Sequence, residues 1–118
     1  INRAKFGENG VEHGPQCSVV ELLRTKSVDA ALVIGSDPMS SLPGSIAKEL
    51  TGIPVITIDP CVTMTSAKAK VSIASATTGS DSGGTAIRMD GVEVNIEPMI
   101  TTENLSDEEI LNHIMEAL

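Results

Sequence analysis

Aromatic side chains are nearly missing from this chain, which has one Phe and no Tyr or Trp among 118 residues. That scarcity all but excludes recognition of bases or sugars by stacked rings, and it obliges the core to be built from Ile, Val, Leu, Ala and Met. Cations are also sparse. Eight Lys and Arg stand against 16 Asp and Glu, a formal charge of −8. This argues against a nucleic-acid partner, because phosphate neutralisation needs Lys and Arg, although single loops can still hold a phosphate through backbone N–H groups. The two cysteines, Cys17 and Cys61, are far apart and form no Cys-x-x-Cys pair. No metal ligand is therefore assigned, and each cysteine reads as a small buried hydrophobe. The sequence shows neither a signal peptide nor an apolar run long enough to span a bilayer, so no membrane partner and a cytoplasmic location are expected. Asn104-Leu105-Ser106 fits a glycosylation sequon, which carries little weight without a secretory signal.

What is present is a pair of matched strand ends. Ala30-Ala31-Leu32-Val33-Ile34 runs into Gly35-Ser36-Asp37-Pro38, and Val55-Ile56-Thr57-Ile58 runs into Asp59-Pro60. Continuous apolar runs ending in polar turns are the pattern of parallel strands buried on both faces. Ser18 and Glu21 form a capping-box signature for a helix over 18–26, with Cys17 and Leu22 as a staple. The first strand is expected over 29–35. A second helix starts near Pro43, turns Ile46, Ala47 and Leu50 inward, and stops at Gly52 with Pro54 beyond it. The second strand covers 54–59. A short third strand is expected over 70–74, after a helical turn at 65–69, and a loop over 75–83. Asp90-Gly91 signals a type I′ hairpin between 86–89 and 92–95. Ser106 and Glu109 form a second capping box, heading a helix whose apolar face holds Ile110, Leu111, Ile114, Met115 and Leu118. The fold class that follows is α/β, a Rossmann-like doubly wound parallel sheet with a C-terminal hairpin and helix. Residues 1–16 read as a loop or linker belonging to something upstream, and 17–118 as one ligand-binding α/β domain. An opening Ile1 in place of Met suggests a piece of a larger or processed protein.

Small polar loops at the carboxyl ends of parallel strands are where such sheets bind ligands. Ser36 and Asp37 either contact a nucleotide or pterin, or merely cap a helix. Asp59 either accepts from ribose hydroxyls or a guanine edge, or closes an Asx turn with Pro60. Gly79-Ser80-Asp81-Ser82-Gly83-Gly84-Thr85 has the glycine spacing of a phosphate loop. Thr85 replaces the required Lys, however, and a strand follows where a helix is needed, so triphosphate hydrolysis is rejected and an anion-contacting loop is retained. His13 and His113 have no partner at ligand spacing, and His113 falls on the polar side of its helix. No nucleophile–base–acid set is legible, so no catalytic residue is assigned.

In order along the chain stand Gly35-Ser36-Asp37-Pro38, Ile58-Asp59-Pro60, Thr63-x-Thr65, Gly84-Thr85-x-x-Arg88-Met89-Asp90-Gly91 and Leu105-Ser106-Asp107-Glu108-Glu109-Ile110-Leu111. This succession resembles the molybdopterin oxidoreductases, and among them the C-terminal part of the B subunits of formylmethanofuran dehydrogenases, from about residue 17 onward. The resemblance implies an oxidoreductase that reduces CO2 to formylmethanofuran in methanogenesis. Its tungsten or molybdenum would lie between two molybdopterin guanine dinucleotides, with this region lining the pocket of one. The dinucleotide contacts it implies are Ser36, Asp37, Ile58, Asp59, Asp81, Ser82 and Asp107. Two departures stand out. Ala69-Lys70-Val71-Ser72-Ile73-Ala74 lacks the Asp and Pro of the family's Ala-Asp-Val-x-Leu/Ile-Pro, and Asp81-Ser82-Gly83-Gly84-Thr85 has one carboxylate fewer than its Glu-x-Glu-Gly-Thr.

The family's metal ligand, iron–sulfur cysteines and catalytic His and Arg lie outside this segment, so the isolated piece is expected to be inactive. Its implied partners are the remainder of the catalytic subunit and other subunits that include iron–sulfur electron carriers. A second reading is the central nucleotide-binding domain of thiamine-diphosphate enzymes, which share the Gly-x-Asp/Ser-Pro strand end. A third is a non-catalytic scaffold for subunit contacts. The thiamine reading gives Gly84–Gly91 and Asp107 no role, and the scaffold reading predicts no ligand at all.

Overall fold

The computed structural model describes residues 3–118, so Ile1 and Asn2 lie outside the described residues. In chain order it contains β1 (Ala4–Gly7), β2 (Gly10–His13), a 3-10 turn (Pro15–Cys17), α1 (Val19–Arg24) and β3 (Ala31–Ile34). Next come α2 (Pro38–Ser41), α3 (Gly44–Leu50), β4 (Val55–Asp59), a second 3-10 turn (Ser66–Lys68) and β5 (Val71–Ala74). The chain closes with β6 (Gly84–Ile87), β7 (Glu93–Ile96) and α4 (Asp107–Glu116).

The centre is a three-stranded parallel sheet of order β3-β4-β5. Ala31 pairs with Val55 and Leu32 with Ile56, while Ile56 pairs in turn with Val71. Side chains alternate along each strand, so Ala31, Val33 and Val55 share one face. That face packs on Leu23 of α1 and Leu50 of α3 to form the core. The parallel α/β centre expected from the apolar runs is therefore present.

The second helical layer of a doubly wound sheet is not found among the described residues. Leu32, Ile34, Ile56 and Val71 are exposed on the opposite face, Leu32 at 51 % and Val71 at 46 %. The strand order explains the asymmetry. Right-handed crossovers added in one direction place every connection on the same side, and only a reversal of direction covers the other. The β4–β5 link also contains only one short turn of helix, too little to cover a face.

Local differences have equally local causes. Residues 4–13, expected to be loop, form an antiparallel hairpin in which Phe6 faces Val11. Ser18 heads α1, but its side chain caps nothing. Glu21 is drawn instead to Arg24, which donates from Nε at 3.0 Å and from Nη2 at 2.5 Å. The loop between β6 and β7 is not a type I′ turn, which needs positive φ at both central residues. Arg88 and Val92 still pair, Gly91 N–H reaches Arg88 O at 2.9 Å, and only Gly91 has a positive φ, of 83°. This is a three-residue loop with glycine at the left-handed position. The Ser106–Glu109 capping box is formed, and Ile110 behind it is buried. No helix among the described residues is long and apolar enough to cross a membrane.

Candidate functional site

All three central strands are parallel, so the loops after Ile34, Asp59 and Ala74 emerge at one end of the sheet. Gly35 turns the first of them with φ 54°, a left-handed value that favours glycine, and its N–H donates to Ile58 O at 3.0 Å. Ser36 follows and is exposed. Asp37 is half-buried and engaged on both oxygens. Its Oδ1 accepts from Thr65 N–H at 3.0 Å and Thr65 Oγ1 at 2.5 Å. Its Oδ2 accepts from Ser40 Oγ at 2.6 Å and Met64 N–H at 3.3 Å. The Ser40 and Thr65 hydroxyl bonds, aided by the Thr65 and Met64 amides, lower its pKa to about 2.

The loop after β4 is braced at both ends. Asp59 Oδ1 accepts from Cys61 N–H at 2.8 Å, an Asx turn that carries Cys61 outward. Cys61 is consequently exposed, against the buried position expected of it, whereas Cys17 is buried. Thr63 and Ser66 exchange bonds, Thr63 N–H to Ser66 Oγ at 2.7 Å and Ser66 N–H to Thr63 Oγ1 at 3.0 Å. Thr65 is 1 % exposed, and its Oγ1 accepts from Met39 N–H at 3.0 Å. The Ile58 side chain is wholly buried, and its carbonyl accepts from Gly35 N–H.

After β5 the chain meets the start of α4. Ala76 N–H donates to Leu105 O at 2.8 Å, which sets Ser106 beside the carboxyl end of β5. A polar cleft of about 600 Å³ opens there, with Asp81, Ser82, Glu103, Ser106 and Glu109 among its lining residues. Asp81 closes its own turn by accepting from Thr77 N–H at 2.5 Å. Ser82 Oγ reaches only Gly83 O, at 3.3 Å. Glu109 lies below the usual carboxylate range because the Ser106 N–H and hydroxyl both donate to it. Asp107 Oδ1 is shielded from solvent and has no hydrogen-bond partner. An unmet acceptor of this kind is costly unless something else supplies a donor.

The candidate residues thus fall into two groups at the carboxyl end of the sheet. Asp37 and Asp59 stand at neighbouring strand ends, while Asp81 and Ser82 share the cleft beside α4. Neither Thr65 nor Ser75 is among the contacts that the resemblance implies. Thr65 sits in the Thr63-x-Thr65 motif, whose alternation of hydroxyls was the available signal. Ser75 is 2 % exposed with an unpartnered Oγ, and nothing in its sequence context distinguishes it from the other loop serines. No group of three or more His, Cys, Asp or Glu placed to hold a metal occurs among the described residues.

No protein-family model matches the chain. It is similar to the B subunit of the tungsten-containing formylmethanofuran dehydrogenase 2 of Methanocaldococcus jannaschii, 37% identical over 93 residues. That match takes in 77% of this chain and 21% of the relative. The protein of the same name from Methanococcus maripaludis is 30% identical over 97 residues, 80% of this chain and 22% of the relative. The chain therefore spans about a fifth of the length of the curated relatives it matches.

Proposed function

We propose that this chain is part of a B-type subunit of a tungsten or molybdenum formylmethanofuran dehydrogenase, where it lines the pocket of a molybdopterin guanine dinucleotide. The similarity to two proteins of that name, over more than three quarters of the chain, carries the reading. The chemistry of the strand-end residues supports it. Guanine presents ring N–H and amino donors, and the residues gathered here are mostly carboxylate and hydroxyl acceptors. Asp107 Oδ1 has no hydrogen-bond partner and lies between the cleft-lining Ser106 and Glu108, so a small shift of its side chain would free it for such a donor. The pyrophosphate would have to be met by backbone N–H groups or by residues beyond this chain, since carboxylates repel it.

Within this reading Ser36, Asp59, Asp81, Ser82 and Asp107 face the dinucleotide. Ile58 forms the floor, and Asp37 acts through the loop that it holds. The cofactor and its metal would supply the electron transfer that reduces CO2 to formylmethanofuran in methanogenesis. This chain's residues bind and orient, and by themselves they would be inactive. The remainder of the subunit would cover the open face at Leu32, Ile56 and Val71, completing a doubly wound, Rossmann-like sheet. Other subunits would bring iron–sulfur electron carriers to it in the cytoplasm.

The test is Asp107→Asn in the full-length enzyme, which keeps the shape and removes the charge. Guanine nucleotide released by acid hydrolysis should fall relative to protein, with little change in melting temperature. Normal cofactor content with a lowered melting temperature would show Asp107 to be a helix-end charge only, worth about 0.3–1 kcal/mol, and would weaken the dinucleotide assignment.

A further inference from the structure

The carboxylate of Asp37 joins two loops separated by 26–28 residues in sequence. Four donors converge on it: the Thr65 amide and hydroxyl on one oxygen, the Met64 amide and Ser40 hydroxyl on the other. Thr65 Oγ1 then passes the linkage back to the β3 side by accepting from Met39 N–H at 3.0 Å. The two segments thus hold each other through a closed ring of hydrogen bonds around a buried threonine. Bonds to an ionised acceptor are stronger and more directional than neutral ones. Those four donors fill the acceptor sites of a carboxylate. Asp37 therefore has little capacity left for a ligand, unlike Ser36 beside it.

We infer that Asp37 is a positioning residue: with Thr65 it clasps the loop after β3 to the loop after β4, and so sets the relative placement of Ser36 and Asp59 for the bound dinucleotide. This rests on the cofactor reading above. Its local logic is stereochemical. Gly35 leaves β3 in a left-handed conformation and frees the chain to point in many directions, so a separate restraint is needed to fix where Ser36 goes. On the other side, the Asx turn at Asp59 and the Thr63–Ser66 exchange define the loop internally but do not tie it to β3. Among the described residues the hydrogen bonds centred on Asp37 and Thr65, with the Met64 and Met39 amides, make that tie, at the mouth of two adjacent parallel strands, where placement matters most.

The experiment uses the full-length subunit in its complex, with Thr65→Val, Thr65→Ser and Asp37→Asn. Val keeps the shape of Thr without the hydroxyl, Ser keeps the hydroxyl without the methyl, and Asn turns one acceptor into a donor facing donors. Two quantities are read at a temperature where circular dichroism shows every variant folded: amide hydrogen exchange at Met39, Met64 and Thr65, and guanine nucleotide per protein. Thr65→Val and Asp37→Asn should exchange at least ~10-fold faster at these amides, the effect of losing one good hydrogen bond to a charged group. Both should also lose most of their cofactor, Thr65→Ser should resemble the parent in both readouts, and the double variant should be no worse than either single one. Unchanged exchange in Thr65→Val overturns the clasp. Faster exchange with full cofactor content overturns its positioning role. A parent complex carrying no guanine nucleotide refutes the cofactor reading and with it the positioning, while the exchange data still report on the clasp itself.

Discussion

Ser106→Ala isolates one element of the candidate site whose energetic weight follows from the structure. Ser106 Oγ accepts from Glu109 N–H at 3.3 Å, and Glu109 Oε2 accepts from the Ser106 N–H and hydroxyl at 2.8 Å each. Alanine strips the acceptor from an N-terminal amide of α4 that has no partner within the helix. Loss of such a cap costs about 0.5–2 kcal/mol, most often ~1 kcal/mol. Glu109 is solvent-exposed, so losing the hydroxyl that donates to it adds little. For a chain of this length the expected penalty is a fall of roughly 4 °C in melting temperature. Ser18 provides the control. It heads α1 with the same Ser-x-x-Glu signature, yet its side chain makes no capping bond. Ser18→Ala should therefore cost no more than a few tenths of a kcal/mol, the ordinary range of a change that removes no hydrogen bond or packed core group. Both variants would be unfolded by heat and by urea at neutral pH and followed by far-ultraviolet circular dichroism. Equal penalties at the two serines, or a larger one at Ser18, would refute the reasoning that the observed bonds and not the sequence signature set the stability.

Asp37 has a folded pKa of about 2, below its ordinary 3.8, so its stabilising contribution is complete above about pH 4 and lost as pH falls towards 2. An acid titration of stability should show this loss in the parent and a shallower one in Asp37→Asn. Lys26 holds a left-handed φ of 52° at the end of α1, where Ser27 N–H reaches Leu22 O and Lys26 N–H reaches Leu23 O. Lys26→Gly should be about 0.5–1 kcal/mol more stable than Lys26→Ala in denaturant unfolding, and the reverse order would contradict the helix-end geometry. Leu50→Ala, on the covered face, should cost about 2–5 kcal/mol. Leu32→Ala, on the open face, should cost under about 1.5 kcal/mol in this chain alone, and equal losses would show that the two faces are buried alike.

The three central strands, the β6–β7 hairpin, most helices and the α4 cap were legible because each depends on neighbours in sequence, whereas the β1–β2 hairpin was not. Val55 to Asp59 is a branched apolar run ended by Pro60, and Ser106 with Glu109 closes a box within a single turn, so propensity and local hydrogen bonding agree. Where two local partners competed, sequence was insufficient. Glu21 could cap Ser18 or pair with Arg24, and the folded chain chose Arg24. Helix stops show the same limit. α3 ends just before Gly52 as expected, but without a positive φ at that glycine, whereas Lys26, which no sequence signal marks, adopts one at the end of α1.

The identity of the strand-end loops was likewise readable from sequence, as small polar residues after buried apolar runs. Their use was not. Asp37 as a hydrogen-bond hub and Thr65 as its buried partner depend on groups 26–28 residues apart, and the unmet oxygen of Asp107 has no signature in its own segment. Sequence determined which segments become the three central strands and which of their ends run into polar loops, because those are questions of periodicity and turn stereochemistry. Only the tertiary structure decided which carboxylates are spent inside the protein and which remain unsatisfied. Hydrogen-bond satisfaction depends on distances between distant parts of the chain, and the strand order that sets them is itself a tertiary fact.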